Sequence, residues 1–483
     1  MERSPAIHGL SAELFHDRRW LLLALTSVGA FMAPLDVSIV AVALPRMGPA
    51  LHLSFAASMW VQAAYLLAMA VLLIPLGRLA DQRGRVRYYQ AGIVVFTLGS
   101  LAAALSVSGP TLIASRVLQG AGGALLSATS AAILTEVFPA SERGKALGIN
   151  VMAIYAGLSV GPPLGGFIVD HWGWPWIFLI NLPIGLVVFV WGLWMLPREP
   201  RAAGSRRALD LWGALLLGLV LACLLVPLTF SSAWGWHSAK VWGLLALAGA
   251  AFWTLLRVES WVTDPLLDLQ LLRHNRLFAM ANLAALLNYM ALYAIAILTA
   301  VQLQLVQGRP ARLTGWIMLG QPLMQSLLSP FAGRLSDRMG SRVLSTAGML
   351  ITAAGMVLLG LMERGASLTQ VMASLAVVGI GMAAFSAPNT SAVMGSVDRS
   401  RLSVAGAFMA TMRVTGQALS VAILGGIAAS RLGAGGWRQL LHGGSLEAAA
   451  AFAWGYRAAM FTGAFLALLG AWASMTRGEE TPG

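Results

Sequence analysis

The sequence predicts an all-α polytopic membrane protein with 14 transmembrane helices, arranged as two six-helix repeats plus two inserted helices. Three observations lead there. Of 483 residues, 58% are hydrophobic and 11% charged, whereas a soluble domain coats itself with about 25% charged residues. Uncharged runs recur along the whole chain, long enough to cross a bilayer core about 30 Å thick, which takes roughly 20 helical residues. A loop sequence that begins at Gly77 returns 256 residues later, which marks a duplication.

The first run, 20–45, follows Asp17, Arg18 and Arg19. It is too long for a signal-peptide core and no small-residue cleavage site follows it, so it is expected to remain as the first helix. Runs 57–77, 88–108, 110–135, 146–169 and 175–197 follow, each divided from the next by charges, Gly or Pro. An arginine-rich stretch then precedes 211–231 and the short run 241–256, which form the insertion. Runs 277–303, 313–333, 343–362, 367–394, 402–428 and 453–475 make the second bundle. The expected divisions are a tail 1–19, a bundle 20–197, a linker 198–276 holding the inserted pair, a bundle 277–475 and a tail 476–483.

The formal charge of +13 would, taken alone, suggest a nucleic-acid partner. A phosphate-gripping protein concentrates Lys and Arg on one polar surface, but here they sit in short clusters between apolar runs, so the expected partner is membrane lipid and no nucleic acid. With an even number of spans both termini share a side. Placing them in the cytoplasm puts 22 Lys and Arg inside and 8 outside, leaving Arg116 and Arg413 within spans. That asymmetry orients the chain with both ends cytoplasmic in a bacterial inner membrane.

Other chemistries find no residues. A single Cys223 excludes an intramolecular disulfide, and the seven histidines all lie outside the apolar runs without metal-ligand spacing. Neither lysine, Lys145 or Lys240, completes a phosphate loop. No set of nucleophile, base and metal is present, so no enzyme and no cofactor is expected.

The repeat is specific. GRLADQRGR (77–85) returns as GRLSDRMGSR (333–342), and Gly120, Gly122, Ser127 and Gly157 return as Gly379, Gly381, Ser386 and Gly416 at an offset of 259. Parallel repeats of this kind suit a transporter whose halves rock about a midplane site.

Five segments in order carry a family resemblance: LDVSIVAVALP (Leu35 to Pro45), GRLADQRGR, RVLQGAGGA (Arg116 to Ala124), GLSVGPPLGG (Gly157 to Gly166) and WIFLINLPIG (Trp176 to Gly185). With them the chain resembles the major facilitator superfamily, and specifically its fourteen-helix drug:proton antiporter branch of the EmrB/QacA type. It departs from that pattern at Gln82, where a basic residue is usual, and at Pro175, where Arg is common. The resemblance implies a proton-coupled multidrug efflux transporter that exports amphipathic or cationic small molecules by alternating access. Protons serve as the driving partner, no cofactor is needed, and a periplasmic adaptor is known among relatives. An exporter of a specific metabolite or lipid on the same scaffold, or a passive facilitator, are the alternatives.

Within this frame a few residues stand out. Asp36 is the only ionisable group between Trp20 and Pro45. A charged carboxylate at the bilayer centre costs on the order of 3 kcal/mol, so it must pair, face a cavity or be protonated. Proton coupling is one reading, and a hydrogen bond to a neighbouring helix is the other. Arg116, Gln119, Gly120, Gly123 and Ser127 share one helical face; the resemblance gives Arg116 a part in proton transfer, and a structural arginine satisfied by carbonyls would look alike. Gly157, Gly161 and Gly165, with Pro162 and Pro163, make a face for close helix approach. The resemblance packs this segment against the opposite half, where it seals the inner or outer route, and plain packing is the alternative. Gly77, Asp81, Gly84 and Arg85, repeated as Gly333, Asp337 and Gly340 beside Arg338 and Arg342, suit a latch between the halves at the inner face. Candidate cavity linings are Gln119, Tyr155, Asn288, Tyr289, Tyr293, Gln321, Gln325, Phe385, Asn389, Met412 and Arg413; Arg413 has no role assigned from sequence.

Overall fold

The structure, a computed structural model, describes residues 19–195, 210–262, 269–363, 365–398, 401–441 and 446–478. The expected tails, apart from Arg19 and residues 476–478, and most of the arginine-rich linker segment lie outside the described residues. The first half is built from α1 (Arg19–Ala50), α2 (Phe55–Arg83), α3 (Arg85–Ala104), α4 (Gly109–Val137), α5 (Ala140–His171), a single turn α6 (Trp176–Leu179) and α7 (Asn181–Met195). The hairpin α8 (Leu211–Trp234) and α9 (Ala239–Trp261) follows, and α10 (Leu269–His274) leads into the second half. That half holds α11 (Arg276–Val301), continued by a π-helical turn Gln302–Val306, then α12 (Ala311–Met318), α13 (Gly320–Met339), α14 (Ser341–Gly360) and α15 (Leu368–Gly395). It ends with α16 (Leu402–Ala429), α17 (Gly433–Leu441) and α18 (Leu446–Met475).

Local chemistry sets the helix ends. The Ser54 hydroxyl accepts from Ala57 N at 3.1 Å to start α2, and Ser367 with Gln370 forms a reciprocal capping box on α15. Between α2 and α3 the backbone turns through Gly84 at φ +111°, and between α13 and α14 through Gly340 at φ +82°. Left-handed backbone favours glycine there, which explains why this one glycine recurs in the repeat.

Twelve helices among the described residues are long and apolar enough to cross a membrane. Two of the fourteen expected spans, 88–108 and 313–333, do not meet that standard, and the reason is compositional. α3 is only 20 residues long and opens on Arg85, Arg87, Tyr88 and Gln90. The other run is broken at Leu319 into α12 and α13, and α13 carries Gln321, Gln325, Arg334, Asp337 and Arg338. Both still pack within the bundle, α3 along α4 and α7, and α13 along α15. The hairpin expected from 211–256 is present, with its second helix extended to Ala239–Trp261. Its α8 lies against α2 and α16, one helix from each half.

The halves repeat each other's packing. α1 runs along α5 as α11 runs along α16, and α3 along α4 as α14 along α15. Between the halves, α1 meets α11, α5 meets α12 and α2 meets α16. The last two contacts are one helix pair with the halves exchanged. Several of the bonds that join the halves cluster at one end: Gln304 Nε2 donates to Val42 O at 2.8 Å, Arg312 N to Asp170 Oδ2 at 2.7 Å, and Trp437 Nε1 to Leu53 O at 2.9 Å.

The glycine face of α5 divides its contacts. A side chain at Gly157, Gly161 or Gly165 would collide with Phe31, Ser38 or Ile39 of α1 in the same half. The opposite half is met by the next residues along: Gly166 abuts the Ala311 backbone and the Pro162 carbonyl abuts Gly315. The segment therefore meets the opposite half through Pro162 and Gly166, while its glycines Gly157, Gly161 and Gly165 bind α5 to α1. Replacing Gly161 with Leu should therefore lower the melting temperature of the detergent-solubilised protein by several degrees, since overpacking typically costs 1–3 kcal/mol. Gly144→Ala, where a Cβ meets nothing within 4 Å, should leave it unchanged or slightly raised.

Candidate functional site

Helix approach is what assembles the site. On α4, Gly120 and Gly123 admit Tyr65 of α2, while Gly99 of α3 lies against the backbone of Gln119. Without Cβ atoms at these positions the helix axes come close enough for short polar side chains to meet between them. α1 brings Asp36 to the same level, and α7 brings Asn181.

Asp36 and Arg116 form a salt bridge of 2.5 Å from Oδ2 to Nη1, with 1% and 0% of their side chains exposed. The other carboxylate oxygen, Oδ1, accepts from Gln119 Nε2 at 2.7 Å and from Asn181 Nδ2 at 3.2 Å. Gln119 and Asn181 also donate to the Ser100 hydroxyl at 2.8 and 3.3 Å, and that hydroxyl itself donates to Phe96 O at 2.9 Å. Arg116 donates in addition to the Gln119 carbonyl oxygen, to Val61 O at 3.0 Å and to Gln62 Oε1 at 3.4 Å. Its guanidinium lies 4.5 Å from the centre of the Tyr65 ring and 5.7 Å from that of Phe178. A buried charge pair repays its desolvation only when its remaining donors and acceptors are met, and here both sides are. Of the three ways to accommodate a carboxylate within a span, Asp36 takes pairing: it is an ion-paired carboxylate.

The network reaches the second half at one point. Tyr293 of α11 donates its hydroxyl to Gln62 Oε1 at 3.4 Å, and Gln62 Nε2 is anchored on Val37 O at 2.9 Å. Chemically, protonating Asp36 would remove the counter-charge of a guanidinium that cannot release its own proton. Arg116 would then have to find a new partner, and its links to α2, and through Gln62 to α11, would be disturbed.

The remaining predicted residues are spread more widely. Gln119 belongs to the ion-pair network rather than to a cavity wall. Asn288 is buried with its amide on Met382 Sδ at 3.1 Å, and Asn389 is buried with its amide on Ala281 O at 3.1 Å, so both tie α11 to α15. Phe385 and Gln325 are buried as well. Tyr155, Tyr289, Tyr293, Gln321, Met412 and Arg413 are half-buried. At the opposite end from the joined one, Arg85 Nε binds Asp81 at 2.6 Å and Arg85 Nη1 binds Glu136 at 3.1 Å, all within the first half. Burial alone would depress the Arg85 guanidinium, but the two carboxylates outweigh it and raise it above its ordinary value. Asp337 is exposed and has no ion-pair partner among the described residues. The expected pairing of Asp81 and Arg85 with the other half is thus not the one present here.

Sequence reasoning missed Gln62, Tyr65, Ser100, Asn181 and Phe178. A signal existed for four of them: Gln62, Tyr65, Ser100 and Asn181 are polar residues inside apolar runs, the property that singled out Asp36, and Asn181 lies within the quoted segment Trp176 to Gly185.

Comparison with known proteins agrees with this architecture. The sequence profile described as Major Facilitator Superfamily matches residues 26–279 and again 277–482, once for each half. The chain is 31% identical over 415 residues to the riboflavin transporter RibZ of Clostridioides difficile, covering 86% of this chain and 89% of that one. It is 34% identical over 417 residues to the multidrug resistance protein Stp of Mycobacterium tuberculosis, covering 86% and 76%. It is 32% identical over 416 residues to the tetracenomycin C resistance and export protein of Streptomyces glaucescens, covering 86% and 77%. Among solved structures, a bacterial homologue of the human lysosomal transporter Spinster, in an inward-facing and unoccupied conformation, superposes with a TM-score of 0.68 at 16% identity. The superposition covers 95% of this chain and 96% of that one. These relatives are transporters, not enzymes.

The ion pair makes a stability prediction. Asp36→Asn and Arg116→Gln each strand one buried group and should each cost about 3–5 kcal/mol. The double variant should recover much of that loss, which thermal unfolding of the four purified proteins would measure as a coupled cycle. Additive losses would show that the two groups act independently.

Proposed function

The chain belongs to the major facilitator superfamily, and on that premise we propose that it is a proton-coupled exporter of amphipathic small molecules, an antiporter working by alternating access. The observation that carries the reading is the Asp36–Arg116 pair, a fully buried carboxylate held by an arginine and hydrogen-bonded onward to the second half. The multidrug resistance and tetracenomycin export relatives support export of foreign amphiphiles. The riboflavin transporter supports a second reading, transport of one metabolite on the same scaffold.

In this proposal α3 and the α12–α13 pair cross the membrane as well, which makes fourteen spans. A helix packed against neighbours in a bundle needs less apolar surface than one facing lipid. Both termini are then cytoplasmic, and the end at which Gln304, Arg312 and Trp437 join the halves is the outer one. The arrangement described here is accordingly sealed outside and opens inward. In the opposite state the inner ends close, with Asp81 and Asp337 finding partners across the halves. Gly77 and Gly333 fit that role, because a Cβ would meet only Ala128 at 3.3 Å at the first and nothing at the second, so neither glycine is required by the present packing.

A proton arriving at Asp36 from outside would break the pair with Arg116, and its release to the cytoplasm would restore it. A membrane potential of about 150 mV supplies roughly 3.5 kcal/mol per proton. If one proton enters for each monovalent cation exported, the voltage contributions cancel and only the pH difference drives transport.

Sealed vesicles with an imposed pH gradient test the coupling. The parent should accumulate substrate uphill and Asp36→Asn should lose at least tenfold of that accumulation; full uphill transport in the variant across the pH range would refute a coupling role. During transport of a monovalent cation no membrane current should accompany the flux, and a robust current would exclude one-for-one exchange.

A further inference from the structure

The membrane charge that the coupling site leaves unexplained is Arg413. Arg116 is neutralised by Asp36, whereas Arg413 has no ion-pair partner among the described residues. A guanidinium keeps its charge in any protein setting, and a charge within a span is retained only where a counter-charge or water meets it.

The surroundings of Arg413 are built rather than incidental. At Gly416, three residues on, an added Cβ would lie 2.6 Å from Leu286 O, 3.1 Å from Tyr289 Cβ and 3.2 Å from Met290 N, so only glycine allows this approach. α16 is thereby drawn onto α11, and Arg413 comes to lie beside Tyr289. Tyr289 lies next to Arg413 and to Ser386 of α15, with Tyr155 of the first half in the same neighbourhood. Arg413, Tyr155, Tyr289 and Ser386 are all half-buried, so the group can be reached. Tyr293, which touches the coupling network, is one turn further along α11, about 6 Å at 1.5 Å per residue. The Arg413 group therefore sits next to the coupling site, displaced away from the joined end.

These residues combine a fixed positive charge, two hydroxyls and two aromatic rings drawn from both halves. Asp36, Arg116 and Arg413 together carry one net positive charge. Such a site repels a cation and matches an anion, whose oxygens the planar guanidinium can bind two at a time. We propose that Arg413, Ser386, Tyr289 and Tyr155 form a subsite for the carboxylate, sulfonate or similar anionic group of an amphipathic substrate, whose planar apolar body lies against the tyrosine rings. The substrate class is then acidic or zwitterionic rather than simply cationic. This deepens the transport reading and rests on it, because it assumes that the space between the halves is the substrate route.

Binding to the full-length protein in nanodiscs of zwitterionic phosphatidylcholine tests the subsite without any proton gradient. The probes are three amphiphiles that share one naphthalene ring and differ in carrying a carboxylate, a carboxamide or a trimethylammonium group. The parent should bind the carboxylate at least tenfold more tightly than the carboxamide, as expected when a charged hydrogen bond is added, and the trimethylammonium most weakly. Arg413→Gln should erase the difference while its carboxamide affinity stays within about twofold of the parent, the span within which binding to the shared ring is unaltered. Equal affinities across the three probes in the parent, a carboxylate preference that survives Arg413→Gln, or tightest binding of the cation would each overturn the proposal. If Arg413→Gln is not monodisperse, the double variant Tyr289→Phe/Ser386→Ala, which removes both hydroxyls beside the guanidinium, decides instead, and an unchanged carboxylate preference there counts against the subsite. Because no gradient is involved, Asp36→Asn should keep the anion preference. Full uphill transport by Asp36→Asn with the anion preference intact would fail the antiport reading alone, whereas coupled transport by a parent without any anion preference would fail the subsite alone.

Discussion

A charge inside a membrane bundle must be met by another, and the Asp36–Arg116 pair is the point at which this protein satisfies that requirement. Four helices of the first half converge on the pair directly, because the carboxylate takes donors from α4 and α7 and the guanidinium reaches α2. α3 enters through the Ser100 hydroxyl. The glycines of α3 and α4 serve this convergence, since the amides of Gln119 and Asn181 and the hydroxyl of Ser100 are short groups that meet only between closely approaching helices. The network therefore constrains the bundle geometry as much as the bundle positions the network.

The second constraint is the duplication. Each half supplies one helix that crosses to the other, α5 onto α12 and α16 onto α2, and the two contacts are related by exchange of the halves. Yet the repeats have diverged in charge. The first half holds a balanced pair and the second holds Arg413, with hydroxyls and aromatic rings around it. The shared packing now carries two different chemistries, one a buried ion pair and the other a fixed cation, linked along α11 by Tyr293 and Tyr289.

How much of this was legible in the sequence depends on how local the cause is. Asp36 and Arg116 stood out because an ionisable residue in an apolar run needs an explanation wherever it points. Gly84 and Gly340 recur for a reason confined to one turn each. The partners of the pair did not stand out, because Gln62, Ser100 and Asn181 are ordinary polar residues until a helix from elsewhere in the chain arrives beside them. Asn288 and Asn389 read as cavity linings, and what sequence could not show is that each Nδ2 donates to a packed neighbouring helix while its Oδ1 finds no partner among the described residues. Likewise the 88–108 and 313–333 runs were counted as spans by their lack of interior charge, although their polar ends and, in the second, a break at Leu319 leave them below the apolarity of the other twelve.

The sequence by itself determined the helical membrane architecture, the duplication, the clustering of charges between apolar runs and the few charges within them, because these follow from hydropathy and spacing along the chain. Only the tertiary structure decided that Asp36 is paired with Arg116, that the α5 glycines grip α1 while Pro162 and Gly166 meet the other half, and that Arg85 is held within its own half. It also set Arg413 beside Tyr289. Those facts depend on which helices approach within a few ångströms. Side chains 80 to 145 residues apart in the chain meet at Asp36, and their separation in sequence carries no record of that meeting.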